Sequence, residues 1–264
     1  MKTESSLAFL LLLGASLATA PALAVESDGH TWITPAPLLE KHEYFANLAD
    51  GATITTPFLL KFGLTGMGLA SINGVAEGAG HHHPLVNREL PLDFTQPLPF
   101  NSQYIHFGKG QMETVLNFEP GQYTLRLVLA DNRHIPDFVY SKPIHVTVAR
   151  HDATVDPKKL SKQEIAILSP AAGARLHPPF RVGFHASGFN VSSVAVPDAG
   201  SGHFRLVLER DGDKGDVMEF ENGHTEVWLT PPVGHYVAQL YLVDNRAHEN
   251  LLAKSERISF DVVR

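Results

Sequence analysis

The chain is written twice. Leu48-Ala-Asp-Gly-Ala-Thr-Ile-Thr-Thr-Pro-Phe58 returns as Pro170-Ala-Ala-Gly-Ala-Arg-Leu-His-Pro-Pro-Phe180, a separation of 122 residues. That separation holds through Phe62/Phe184, Gly66/Gly188, Gly78/Gly200, Gly80/Gly202 and His81/His203. The second copy then loses nine residues, and the match resumes at a separation of 113. Gly121-Gln-Tyr123-Thr-Leu-Arg-Leu-Val-Leu-Ala-Asp131-Asn-Arg133 returns as Gly234-His-Tyr236-Val-Ala-Gln-Leu-Tyr-Leu-Val-Asp244-Asn-Arg246. A 264-residue chain built this way divides into two similar domains, 45–149 and 164–264. Between them 150–163 is charged, holds Pro157 and reads as a linker.

Each copy reads as all-β. Tyr123, Leu125, Leu127 and Leu129 alternate with polar or smaller neighbours, and so do Tyr236, Ala238, Leu240 and Leu242. Ile144, Val146, Val148 and Ile258, Phe260, Val262 do the same near the two domain ends. Period two with one apolar face marks a half-buried strand. Phe58–Phe62 and Phe180–Phe184 are short strands between turn signals. No segment carries a convincing amphipathic helix. The Gly-x-Tyr step at Tyr123 and Tyr236 has the form of the tyrosine corner of immunoglobulin-like sandwiches. Where antibody domains carry a cysteine, two residues on, these copies have Leu125 and Ala238. The expected fold is two tandem immunoglobulin-like β-sandwiches held by packing alone.

The start of the chain reads as an export signal, 1–24. Lys2 gives the positive start, Leu7–Leu13 the apolar run and Ala22-Leu23-Ala24 the cleavage site. Residues 25–44 then form an extended lead, with Trp32 expected to pack onto the first domain. No cysteine is present, so neither a disulfide nor a lipidated thiol can form. Export without cysteine points to a bacterial periplasm or secretion. A net charge of −7 argues against nucleic acid and anionic membrane surfaces as partners, and no later stretch is apolar enough to span a bilayer.

Fifteen histidines outnumber Tyr and Trp together, and Gly80-His81-His82-His83-Pro84 gathers three of them. On a strand His81 and His83 share a face, where they can share a metal ion, and His82 points the other way. The alternative is a solvated histidine-rich turn. With immunoglobulin-like strand order, His81–Asn87 is strand C, Met112–Phe118 strand E, and the loops carrying His106 (a D–E turn) and His134 (the F–G loop) lie at the same end. The candidate metal ligands are therefore His81, His83, His106 and His134. His82, Glu113 and Asp131 are expected to support them. In copy two His82 becomes Phe204, His83 Arg205, His106 Glu219 and His134 Ala247; only His81 keeps its partner, His203. A site held by copy one alone gives that pattern, and so does drift. Imidazole without thiolate suits copper, zinc or nickel. Because ligation needs neutral imidazole, affinity is expected to fall as pH drops through about 6.5.

Gly80-His-His-His, His106-Phe-Gly-x-Gly-Gln111-x-Glu113 and Leu127-Val-Leu-Ala-Asp131-x-x-His134-x-Pro136 resemble a bacterial exported domain-of-unknown-function family marked by those three segments. The resemblance covers about 80–150 and implies that the three histidine segments belong together. In that family a second His often follows the Pro; here Asp137-Phe138 stands in its place. Copy two resembles a degenerate member.

Three functions follow. The first is a periplasmic metal-binding protein whose partners are a metal ion and an envelope protein. The second is a non-enzymatic envelope interaction module without metal. The third is a three-histidine metal-dependent hydrolase, with Glu113 the best general base. No catalytic residue is singled out. Asp211–Asp216 lacks the spacing and distal Glu of a calcium loop and reads as a solvated hairpin turn.

Overall fold

The computed structural model describes residues 29–35, 40–91 and 93–264, so the export signal lies outside the described residues. Each copy is a sandwich of two sheets. In copy one the smaller sheet runs β1 (His42–Phe45), β3 (Phe58–Thr65), β6 (Glu113–Leu116). The larger runs β2 (Thr53–Thr56), β9 (Ile144–His151), β7 (Gly121–Ala130), β5 (Ala79–Val86), β4 (Gly68–Leu69), with β8 (Pro136–Tyr140) also on β7. Copy two repeats both. Its smaller sheet is β10 (Glu164–Ser169), β12 (Phe180–Ser187), β16 (Glu226–Leu229). Its larger sheet is β11 (Arg175–Leu176), β19 (Ile258–Val262), β17 (Gly234–Asp244), β14 (Ser201–Arg210), β13 (Asn190–Val191). Two further strands complete it: β15 (Asp216–Phe220) on β14 and β18 (Leu251–Lys254) on β17.

The alternating residues fill the space between sheets. Leu60, Phe62, Leu125, Leu127, Val146 and Val148 are buried in copy one, and Val182, Phe184, Leu240, Leu242, Phe260 and Val262 in copy two. Both tyrosine corners close as their sequence implies: Tyr123 donates to the Glu119 carbonyl at 2.9 Å and Tyr236 to that of Pro232 at 2.8 Å. Both copies are immunoglobulin-like sandwiches.

Three expectations are corrected. Among the described residues copy one has no strand D. Instead 103–107 runs beside β5, with the Phe107 amide donating to the His82 carbonyl and the Ile105 amide to that of Pro84. Pro84 can sit inside the sheet because its carbonyl, and hence its missing N–H, faces this irregular segment rather than β7. The lead segment ends earlier than 44, since His42–Phe45 is already strand β1. Trp32 packs on the second domain, not the first: its ring meets Tyr236 at 6.0 Å, and Ile33 bridges to Leu229. The physical reason is the open edge of β16, whose backbone groups the lead satisfies: the Thr34 amide donates to Trp228 and the Thr230 amide to Trp32.

The two copies meet about a pseudo-twofold axis. The Leu69 amide donates to the Gly223 carbonyl at 2.8 Å, and its repeat counterpart Val191 to Gly110 at 2.9 Å. Glu113 receives the Ser187 hydroxyl at 2.6 Å, and its counterpart Glu226 receives the Thr65 hydroxyl at 2.7 Å. Leu64, Leu69 and Met112 join the apolar core of copy two. This is an isologous interface written inside one chain.

Candidate metal centre

Strand β5 is buried from Gly80 to Val86, on both faces. Its inner face carries His82, which packs on Phe62 with ring centroids 5.2 Å apart. The His82 Nδ1 lies 3.0 Å from Glu43 Oε1, and both side chains are fully buried. Burial pushes the Glu43 carboxyl up, and His82 partly offsets that. His82 is therefore a core residue of the sandwich rather than a contact of the other imidazoles.

The outer face carries His81 and His83. The segment 103–107 follows β5 in antiparallel register, with Leu85 opposite Tyr104, so His106 falls opposite His83. His134 arrives from the turn after β7. Its φ is +65°, the left-handed region that a β-carbon disfavours. Asp131 imposes that turn: its carboxylate accepts the amides of Arg133 at 2.8 Å and Ile135 at 2.9 Å, and the Arg133 side chain besides. Asp131 thus holds the loop of His134. Glu113 does not belong here. It stands on the opposite sheet, where His185, Ser187 and Ser161 occupy its carboxylate at the domain interface.

Four imidazoles meet. Every pair among His81, His83, His106 and His134 has ring centroids between 4.6 and 5.8 Å. One ring nitrogen from each can be chosen so that all four lie within 4.8 Å of one another. The Nε2 atoms of His106 and His134 are 3.1 Å apart. Metal–nitrogen bonds of roughly 2.0–2.1 Å at tetrahedral angles put ligand nitrogens about 3.3 Å apart, close to that spacing. Both ring nitrogens of His81 and Nδ1 of His83 are buried without a hydrogen-bond partner. Such atoms cost about 1–3 kcal/mol each unless something engages them.

Burial, then the neighbouring imidazoles, holds His81 down to about 3 and His83 to about 2. His106 is lowered too, by burial and then by His134. Burial thus keeps the His81 and His83 rings neutral well below the ordinary imidazole range. Phe100 caps the cluster, its ring 5.3 Å from His106 and 4.7 Å from His134. It comes from the stretch that copy two lacks. A cleft of about 320 Å³ opens beside His81, lined by Ser71, Val75, Gly80, Asp131 and Arg133.

Sequence reasoning missed the cap and the Glu43–His82 pair. The nine extra residues of copy one were the signal for the first; nothing local announced Glu43.

The family model described as Domain of unknown function (DUF4399) matches residues 60–149 and 182–263, one match per copy. No curated protein sequence matches the chain. Among solved structures it is similar to the fibronectin(III)-like modules of Clostridium thermocellum CbhA, at 12% identity and TM-score 0.22, covering 83% of this chain and 92% of that one. It is similar to a two-domain fibronectin type-III segment of chicken tenascin, at 12% identity and TM-score 0.21, covering 85% and 100%. A Bacteroides ovatus glucan-utilization protein, SGBP-B, solved with a mixed-linkage heptasaccharide, matches at 11% identity and TM-score 0.23, covering 85% of this chain and 48% of that one.

Proposed function

The chain belongs to the DUF4399 family, with two tandem copies of its domain, and from that premise we propose that it is an exported transition-metal-binding protein. Copy one holds the ion through His81, His83, His106 and His134. Four neutral nitrogen donors favour Cu(II), Zn(II) or Ni(II). The observation that carries the reading is the mutually adjacent imidazole set, in which both ring nitrogens of His81 and Nδ1 of His83 are buried without a protein partner. The cleft beside His81 gives an ion a way in and out, which suits capture, buffering or delivery to an envelope partner. Export to the periplasm rests on the residues of 1–24 and belongs to the same proposal.

The tandem sandwich fold itself suits a binding or interaction module, and that is the second reading. It needs no metal and tolerates loss of the imidazoles. The hydrolase reading loses its general base, because Glu113 serves the domain interface.

The test is titration of untagged protein with Cu(II), Zn(II) and Ni(II), beside the H81A/H83A variant. Submicromolar binding that the variant loses supports the metal reading. Weak binding, equal in both, leaves the interaction module.

A further inference from the structure

Copy two replaces three of the four imidazoles, yet the same place on its fold is not bare. His203 stands where His81 stands in copy one and is 1% exposed. Strand β15 is the counterpart of the 103–107 segment and is paired regularly: Arg205 opposes Glu219 and Phe204 opposes Phe220. Continuing that register places Glu221 opposite His203. Glu221 is the repeat counterpart of Gly108, and His248 the counterpart of Ile135, next to the His134 position. One ligand atom each from His203, Glu221 and His248 lie within 4.8 Å of one another.

Asn245 orients the ring of His203. The Asn245 amide nitrogen donates to the Ser192 carbonyl at 2.8 Å, so its Oδ1 is the acceptor for His203 Nδ1, also at 2.8 Å. The neutral ring then carries its proton on Nδ1 and its lone pair on Nε2. That nitrogen faces the Glu219 carboxylate, 3.3 Å from its Oε2, so a cation held there would sit between the lone pair and a negative oxygen. An outer hydrogen bond of this kind is what orients metal-binding histidines. In the position of His83, Arg205 pairs with Glu219 instead of offering a lone pair. Glu221 and His248 are exposed.

The geometry points to a second metal site, in copy two, formed by His203, His248 and Glu221. It is a two-histidine, one-carboxylate set with further positions open to water. Harder divalent ions such as Fe(II), Mn(II) and Zn(II) suit that donor mixture, in contrast to the all-nitrogen set of copy one. Its exposure and fewer donors make it the weaker, faster-exchanging of the two. The protein would then hold two unlike sites at equivalent places on two copies of one fold.

The test uses the full chain without a polyhistidine tag, with Zn(II) as the sole added ligand, followed calorimetrically. Four proteins are compared: wild type, H81A/H83A, H248A/E221Q, and all four changes together. His248 and Glu221 are exposed, so H248A/E221Q is expected to melt at the wild-type temperature. The expected result is two equivalents in the wild type, with affinities at least tenfold apart. H81A/H83A retains only the weaker site and H248A/E221Q only the tighter one. The inference is overturned if H248A/E221Q binds as much Zn(II) as the wild type, or if residual binding in H81A/H83A survives the addition of H248A/E221Q. The copy-one reading fails separately, if H81A/H83A leaves the tighter equivalent intact. Should H81A/H83A fold poorly, the wild type against H248A/E221Q still decides: one equivalent lost supports the site, none lost overturns it.

Discussion

At the scale of single residues, the two faces of β5 do different work. His82 and Glu43 form a buried polar pair between the sheets, but their repeat counterparts are Phe204 and Ile165, both buried in an apolar core. The Phe62–His82 contact at 5.2 Å becomes Phe184–Phe204 at 5.3 Å. The fold therefore accepts apolar side chains here. Removing either partner alone strands a buried polar group, at a cost of about 1–3 kcal/mol. Replacing both removes the need for either. E43I/H82F is thus expected to equal or exceed wild-type stability in urea unfolding, while E43I and H82F alone each fall below it. A double variant less stable than both single variants would contradict this. On the outer face, the folded-state values of His81 and His83 lie far below the ordinary imidazole value. An unfolded chain binds protons there before the folded one does, so stability falls as pH drops from about 6.5 towards 3. The slope is at most about 1.4 kcal/mol per pH unit per ring. Urea midpoints between pH 7 and pH 4 measure it. H81A/H83A is expected to flatten the curve.

At the scale of elements, most of the sandwich was legible. Strands β7, β9, β17 and β19 announce themselves by alternation, and Tyr123 and Tyr236 locate the corner. What sequence hid was non-local. The placement of His106 depends on 103–107 running beside β5, and that segment has no alternation of its own. The shared Gly80 and Gly202 also have a tertiary cause: a β-carbon at either would lie 2.6 Å from a carbonyl oxygen of the neighbouring strand, Ala130 or Val243. Gly108 is different. A β-carbon there would lie 2.5 Å from Cε1 and Nε2 of His106. G108A is therefore expected to push that imidazole out of the cluster. Its copy-one metal affinity should fall tenfold or more, with the melting temperature changed by only a few degrees. Unchanged affinity would remove His106 from the ligand set.

At the scale of the whole molecule, the repeat explains why Glu113 and Glu226 match. Sequence could read the match as structural, but not that each glutamate reaches across to the other copy. Glu226 takes Tyr44 at 2.6 Å and Thr65, while Glu113 takes His185 at 2.9 Å and Ser187. With Leu64, Leu69 and Met112 built into the core of copy two, neither domain has a complete surface alone. Apo protein is expected to unfold in a single calorimetric transition, and E113Q and E226Q to lower its midpoint. Two resolved transitions would show the copies to be independent. The lead segment, laid along β16, ties the start of copy one to copy two and strengthens the same expectation.

The most direct measurement of the central claim is X-ray absorption on the H248A/E221Q variant loaded with one equivalent of Zn(II), so that only copy one is filled. The expected first shell is nitrogen alone, about four donors near 2.0–2.1 Å, with the outer-shell scattering of imidazole rings. A shell with two or fewer imidazoles, or one dominated by oxygen, would contradict a metal centre made by His81, His83, His106 and His134.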